Sequence, residues 1–223
     1  AIGGVISINS ATPDEVGFSQ EIFSESGSYN SVKGSNSFHY LDYNKSISLN
    51  LDGEKSSGYS SFIYDKQPLE KDGYYLYGSS LRSNLNLTDN LEITLNGRYI
   101  NQYHDYDDAY ANPGDSEVHY RYDKQYGVLL DITYSQKNIN HKISYQPSYT
   151  NRINVIGGRY EYDGSRQKLE YLVSTDVFKN FNILSGIEYM KINTNIEGLP
   201  SEKEVNSLFT EFLINPLKDT IIN

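Results

Sequence analysis

The feature that most constrains the fold is a strict two-residue alternation of apolar and polar side chains over long segments. In LEITLNGRYI (residues 91–100), the apolar row is Leu91, Ile93, Leu95, Gly97 and Tyr99. The polar row between them is Glu92, Thr94, Asn96 and Arg98. Successive side chains of a β-strand point to opposite faces, so the pattern predicts a strand with one apolar and one polar face. Similar alternation recurs at residues 46–53, 126–135 and 181–192.

Strands and connections alternate in a characteristic layout. The pattern predicts strands at residues 21–29, 32–42, 46–55, 74–87, 91–103, 122–135, 140–152, 166–178, 181–193 and 205–214, with another beginning near Thr220. Short turns are predicted at 43–45, 88–90, 136–138, 179–180 and 215–218, and long loops at 56–73, 104–121, 153–165 and 194–204. Tight turns at one end and long loops at the other are typical of an outer-membrane barrel. We therefore predict an all-β fold, a partial antiparallel transmembrane β-barrel that supplies about ten strands of a larger barrel.

Composition favours the same fold and excludes several others. The chain has 22 Tyr against 8 Phe and no Trp, and Tyr suits a membrane interface, where one end of the ring is apolar and the other wet. A net charge of −10 argues against nucleic acid as a partner. The absence of cysteine argues against a secreted, disulfide-stapled domain. No run approaches the roughly 20 apolar residues of a membrane-spanning helix.

The opening stretch AIGGVISI differs from everything after it. Its paired glycines let another backbone approach closely or let a strand bend. It resembles the last strand of the plug domain in TonB-dependent outer-membrane receptors, with Ser7 in place of the usual Asn. The matching residues are Ala1, Ile2, Gly3, Gly4, Val5, Ile6 and Ile8. The resemblance implies the end of a plug domain at residues 1–10, a linker at 11–18 and a truncated N-terminal part of the barrel at 19–223.

Two later stretches resemble the cobalamin transporter branch of that family: YDDAYANPGDSE (residues 106–117) and SYQPSYTNRINVIGGRYEYDGS (144–165). The resemblance implies active uptake of cobalamin by a monomeric barrel in the Gram-negative outer membrane. Its expected partners are outer-membrane lipid and the TonB–ExbB–ExbD complex. A ferric siderophore or haem is the alternative cargo, and a passive porin or a soluble β-rich adhesin is a more distant alternative. No nucleophile constellation or nucleotide-binding fingerprint points to an enzyme.

Carboxylates crowd the two loops that carry this resemblance. They are Asp105, Asp107, Asp108, Asp115 and Glu117 in the first loop, and Glu161 and Asp163 in the second. Calcium takes six to eight oxygen ligands, often from such loops, and the resemblance implies a calcium site in which Asp108, Asp115 and Asp163 match best. The second loop departs from the family pattern, because Thr150 and Asn151 stand where an acidic residue is expected. The alternative is that these carboxylates are simply solvated.

Aromatic residues and histidines of the loops offer further candidates. Tyr106 and Tyr110, at the centre of the first loop, are candidate substrate contacts, whereas tyrosines at strand ends suit an aromatic girdle. His104 and His119 flank the same loop and are able to meet across its base. Their spacing matches no metal motif, which favours solvated histidines over a metal or haem site.

Overall fold

A computed structural model describes residues 15–59, 71–106, 119–178, 181–217 and 220–222. All regular structure in these ranges is β. The strands are β1 (Gly17–Gly27), β2 (Ser31–Asp42), β3 (Lys45–Ser56), β4 (Tyr74–Thr88), β5 (Leu91–Asp105), β6 (Tyr120–Gln136), β7 (Ile139–Val155), β8 (Arg159–Phe178), β9 (Phe181–Ile196), β10 (Leu199–Leu217) and β11 (Thr220–Ile222). Among the described residues there is no helix long and apolar enough to cross a membrane.

The strands form one antiparallel sheet in which each strand pairs with the next along the chain, from β1 to β11. The connections 43–44, 89–90 and 137–138 lie at one end of the sheet, here called the turn end. At the opposite end, here called the loop end, β1 is joined to β2, β3 to β4, β5 to β6, β7 to β8 and β9 to β10. This up-and-down order, with every connection between neighbours, confirms the predicted all-β antiparallel architecture.

Two predicted loops are wrong, because the strands continue through them. In place of the loop predicted at 153–165, β7 and β8 pair as far as Val155 and Arg159, and Gly157 turns the chain at φ 62°. In place of the loop predicted at 194–204, β9 and β10 meet across Glu197 and Gly198, at φ 53° and 83°. Positive φ at both Glu197 and Gly198 matches the twist of the paired strands, so a two-residue turn stands where a loop was expected.

The register aligns the apolar rows of neighbouring strands on one side of the sheet. Leu95 pairs with Leu130, Leu130 with Tyr145, and Tyr145 with Leu169. One row nearer the turn end the aligned residues are Ile93, Ile132, Ile143 and Tyr171. We call this side the apolar face and the opposite side, which carries Arg98 and Asp131, the polar face.

The distribution of buried and exposed side chains is the reverse of that in a soluble protein. No hydrophobic side chain is buried among the described residues, and large apolar side chains such as Ile187 (54 % exposed) and Leu208 (81 % exposed) stand on the apolar face. Apart from two glycines, the buried residues are all polar and all on the polar side: Ser46, Ser48, His119, Asp123, Asp131 and Ser144. A soluble β-sandwich buries apolar side chains between two sheets. A single sheet with its apolar side uncovered is what a membrane barrel presents to lipid.

Tyrosines border the apolar face towards the loop end. One aligned row is Tyr99, Tyr126 and Tyr149, and a second row, four residues nearer the loop end along each strand, contains Tyr75, Tyr103 and Tyr122. The rings of Tyr126 and Tyr149 lie 5.2 Å apart, and those of Tyr75 and Tyr103 lie 5.5 Å apart. Above them the same side of the sheet becomes polar, so these rings occupy the position of an aromatic girdle at a membrane surface.

A charge placed on the apolar face should destabilise the protein in lipid, whereas the same charge one residue away should not. Leu130 lies in the middle of the apolar band and Leu129 on the polar face. We expect Leu130→Arg to lower the free energy of unfolding in phospholipid vesicles by about 2–4 kcal/mol. Leu129→Arg, the matched control, should cost less than about 1 kcal/mol. Urea titration in vesicles measures both, and equal losses would contradict the assignment of faces.

Candidate functional site

The polar face holds a groove of about 730 Å³ that runs from β2 to β8. Small or neutral polar side chains form much of it: Ser48, Asn50, Ser80, Asn96, Gln125, Gln146, Ser148 and Thr150. Its other polar lining residues are His39, Arg82, Arg98 and Arg166. No carboxylate is among the described residues that line it. The groove is therefore basic although the chain as a whole has a net charge of −10.

Cross-strand hydrogen bonds hold several of these side chains in place. A ring nitrogen of His39 lies 3.0 Å from the hydroxyl of Ser48, and Asn50 Nδ2 donates to Ser80 Oγ at 3.2 Å. Arg166 Nη2 donates to Gln146 Oε1 at 3.4 Å. Arg98 and Arg166 are exposed, so their guanidinium groups remain accessible to a ligand in the groove.

Towards the loop end, the polar face carries a charged cluster centred on Asp123. Its carboxylate is fully buried and accepts hydrogen bonds from Arg121 Nε at 2.5 Å, Arg152 Nε at 2.6 Å and Gln102 Nε2 at 3.2 Å. Burial alone would raise the pKa of Asp123, but hydrogen bonds from Arg121, Arg152 and Gln102 outweigh it and hold the pKa below its usual value. One carboxylate thus faces two guanidiniums, which leaves the cluster with a positive charge.

Three rings lie at the base of the 106–119 loop. The centroid of Tyr106 is 6.0 Å from that of His104 and 6.2 Å from that of His119. Tyr106 N–H donates to the His119 carbonyl at 3.2 Å, and its hydroxyl donates to the Val155 carbonyl at 3.3 Å. The structure thus brings His104 and His119 together around Tyr106. Burial and the nearby Arg121 lower the pKa of His104, which favours its neutral form.

The described carboxylates proposed for calcium lie on the other side of the sheet, among the tyrosine rows or just beyond them. Asp163 accepts hydrogen bonds from Tyr149 Oη at 2.6 Å and Asn151 Nδ2 at 2.8 Å, and these lower its pKa. Asn151 Nδ2 also lies 3.3 Å from Glu161 Oε1. Asp105, on β5, accepts a hydrogen bond from the hydroxyl of Tyr103. Glu161 and Asp163 are therefore brought together, whereas Asp105 is three strands away from them.

The other predicted site residues lie outside the described residues: Asp107, Asp108, Tyr110, Asp115 and Glu117 of the first loop, and Ala1, Ile2, Gly3, Gly4, Val5, Ile6 and Ile8 of the plug-like stretch. Within the described part of the chain, no three His, Cys, Asp or Glu side chains are grouped so that they would hold a metal ion. The calcium site therefore stays a prediction.

Sequence reasoning missed the basic groove and the Asp123 cluster. A usable signal was present, because Arg98, Arg152 and Arg166 all occupy polar rows of the alternating pattern. Recognising the cluster also required the register that places Asp123 opposite Arg152. That register follows from the turn at 137–138 and was not read from the sequence.

Comparison with solved structures shows what this fold is similar to. The unliganded ferric citrate transporter FecA superposes with a TM-score of 0.53 at 12 % sequence identity, covering 92 % of this chain and 38 % of FecA. At that identity the likeness shows the fold alone, and it is the fold of an outer-membrane β-barrel. The chain spans about two-fifths of the length of FecA. The sequence matches no protein-family model and no curated protein.

Two further solved structures are similar over most of the chain. The ferric yersiniabactin uptake receptor FyuA from Yersinia pestis has a TM-score of 0.44 and 9 % identity, covering 87 % of this chain and 37 % of FyuA. The open form of the ferric-catecholate import receptor Fiu from E. coli K12 has a TM-score of 0.40 and 10 % identity, covering 92 % of this chain and 52 % of Fiu.

The Asp123 cluster predicts a pH-dependent contribution to stability. Its carboxyl has a lowered pKa in the folded state, so its contribution is present above the unfolded pKa of about 3.9 and is lost as the pH falls through the folded value. Asp123→Asn leaves two guanidiniums facing a neutral amide and should cost about 3 kcal/mol at pH 7. Chemical unfolding should show this cost shrinking below pH 4. Asp89→Asn, in the exposed turn 89–90, is the control and should change stability little at either pH. A cost for Asp123→Asn that does not depend on pH would contradict this account.

Proposed function

We propose that this chain forms barrel strands of a TonB-dependent outer-membrane receptor that imports a bulky, anionic ferric chelate. The observation that carries the proposal is the groove on the polar face, which is lined by three arginines and no described carboxylate. It lies on the back of a sheet whose other face is apolar, so a ligand in it would be enclosed by the barrel. A cargo with several carboxylate or phenolate oxygens is complementary to such a surface.

The location and the energy source belong to the same proposal. The plug-like opening AIGGVISI and the likeness of the barrel strands to FecA both support a plugged receptor of the outer membrane. A plug has to be remodelled to let cargo pass, and TonB–ExbB–ExbD would supply the energy for this step. The transporter works only if cargo and TonB each favour one arrangement of the plug over another. The similar structures are transporters and uptake receptors, which supports transport over enzymatic activity.

The choice of cargo rests on charge. Arg98 and Arg166 present exposed guanidiniums, which bind carboxylates in a forked geometry. The structure with the strongest likeness described above transports ferric citrate, whose citrate ligands are polycarboxylates. Cobalamin is the alternative, supported by the resemblance of residues 106–117 and 144–165 to loops of the cobalamin transporters. Its peripheral amides are neutral and a single phosphodiester is its anionic group, so a groove with three arginines favours the more highly anionic ferric chelate.

Ligand binding to the complete receptor in detergent tests the cargo. We expect ferric citrate, or another carboxylate-rich ferric chelate, to bind more tightly than cyanocobalamin. Arg98→Gln and Arg166→Gln should each weaken that binding by about tenfold to a hundredfold, because each removes a charge-assisted hydrogen bond. Lys124→Gln is the matched control, since Lys124 lies on the opposite side of the sheet and should leave affinity unchanged.

Two results would separate the parts of this proposal. Tight binding of cyanocobalamin with no binding of ferric chelates would overturn the cargo and keep the receptor. Ion conductance of an unplugged pore, with no saturable binding of either ligand, would overturn the receptor itself.

We also propose that calcium orders the external loops over the cargo, with Asp108 and Asp115 as ligands and Tyr106 and Tyr110 contacting the cargo. Support comes from the resemblance to cobalamin transporters and from the position of Tyr106 at the loop-end border of the polar face. Asp163 joins this site only if the first loop reaches across to β8, because its carboxylate lies on the other side of the sheet.

Calcium titration of the complete receptor checks this proposal. Calcium should raise cargo affinity, and Asp108→Asn with Asp115→Asn should abolish the increase because they remove hard oxygen ligands. Glu25→Gln, a carboxylate of β1 far along the sheet, is the control. Cargo affinity that is indifferent to both the ion and the substitutions would show that the loop carboxylates are only solvated.

A further inference from the structure

The apolar face carries an ionisable ring near the turn end. His141, on β7, lies between Tyr134 of β6 and Tyr171 of β8. Its ring is 6.4 Å from that of Tyr134 and 6.1 Å from that of Tyr171, with interplanar angles of 26° and 12°. A hydrogen bond of 2.8 Å joins its Nδ1 to the hydroxyl of Tyr171. Stacking and hydrogen bonding together fix the orientation of this imidazole.

The position of His141 along the strand places it at the edge of the apolar band. β7 begins at Ile139, directly after the turn at 137–138, so His141 stands about 7 Å along the strand from that start. In the next row towards the loop end, Ile132 and Ile143 lie beside Tyr171. A His and Tyr cluster between a turn and the isoleucines of the apolar band lies at the depth of lipid headgroups.

Nothing on the protein side offers His141 a counter-charge. The side chains around it on the apolar face are Tyr134 and Ile132 of β6, Ile139 and Ile143 of β7, and Tyr171, Val173 and Thr175 of β8. The nearest charged pair in these strands is Lys142 and Asp131, which face the other way and bind each other at 2.9 Å. A protonated His141 is therefore complementary to an anion supplied from outside the protein.

We propose that His141, flanked by Tyr134 and Tyr171, is a contact site for the phosphate of an anionic phospholipid and engages it when the imidazole is protonated. The proposal rests on the proposed function only in assigning the apolar face to lipid. Protonated imidazole supplies the charge, and the Tyr171 hydroxyl supplies a second polar contact for the headgroup. Such a site makes the lipids around this part of the barrel depend on pH.

Lipid selection by the complete receptor tests this site. The receptor is exchanged into bilayer discs with equal amounts of phosphatidylglycerol and phosphatidylcholine, and the lipids retained after release are counted by native mass spectrometry. At pH 5.5 we expect phosphatidylglycerol to be retained about fivefold over phosphatidylcholine, and at pH 8 the preference should largely disappear. His141→Phe keeps an aromatic ring and His141→Gln keeps a hydrogen-bonding group, and both should abolish the pH dependence.

His39→Gln is the matched control, because His39 lies on the polar face and should leave lipid selection unchanged. Tyr171→Phe should reduce the preference at pH 5.5 without removing its pH dependence. A pH-dependent preference that survives both His141 variants, or a wild-type receptor with no preference at either pH, would overturn the proposal. Lipid selection is measured on the folded barrel without cargo, so its result can be interpreted even if the cargo experiment fails.

Discussion

The structure depends on one constraint, that the backbone of an extended chain must satisfy its hydrogen bonds within the sheet while its apolar side chains remain uncovered. Consecutive antiparallel pairing meets the first requirement along almost the whole length of strands β2 to β9, whereas β1 and most of β10 are paired on one side only. The second is visible in Ile187 and Leu208, which are more than half exposed with no second layer to cover them. In water this arrangement is costly, and in a bilayer the same side chains are in their preferred solvent.

Because the apolar side chains occupy one face of the sheet, the charged side chains lie close together on the polar face. Lys168 contacts Glu170 and Glu188, each at 2.8 Å, and Asp123 contacts two arginines. Each of these clusters brings opposite charges together, whereas the described residues that line the groove include no carboxylate beside Arg98 or Arg166. This contrast separates the charged contacts that join neighbouring strands from the arginines that the proposed cargo site would use.

Much of this architecture could be predicted from alternation alone, and the failures have identifiable causes. The rows of Leu91 to Tyr99 were assigned to the correct faces because side-chain direction has a period of two in any strand. The predicted loop at 153–165 failed because Gly, Tyr and Asp indicate a loop by composition, while Ile153 and Tyr162 still pair across a hairpin. The Asp123 cluster required the cross-strand register, which alternation within one strand does not contain.

The uninterrupted hairpins of β7 to β10 have a mechanical consequence. Their strands of 16 to 20 residues exceed the roughly 9–11 needed to cross a bilayer, and they are paired up to turns of two or three residues. The backbone of a paired hairpin is already ordered, so it loses less conformational entropy on ligand binding than a long segment without regular structure does. In the proposed receptor, these hairpins would therefore form a stiff side of the cargo site.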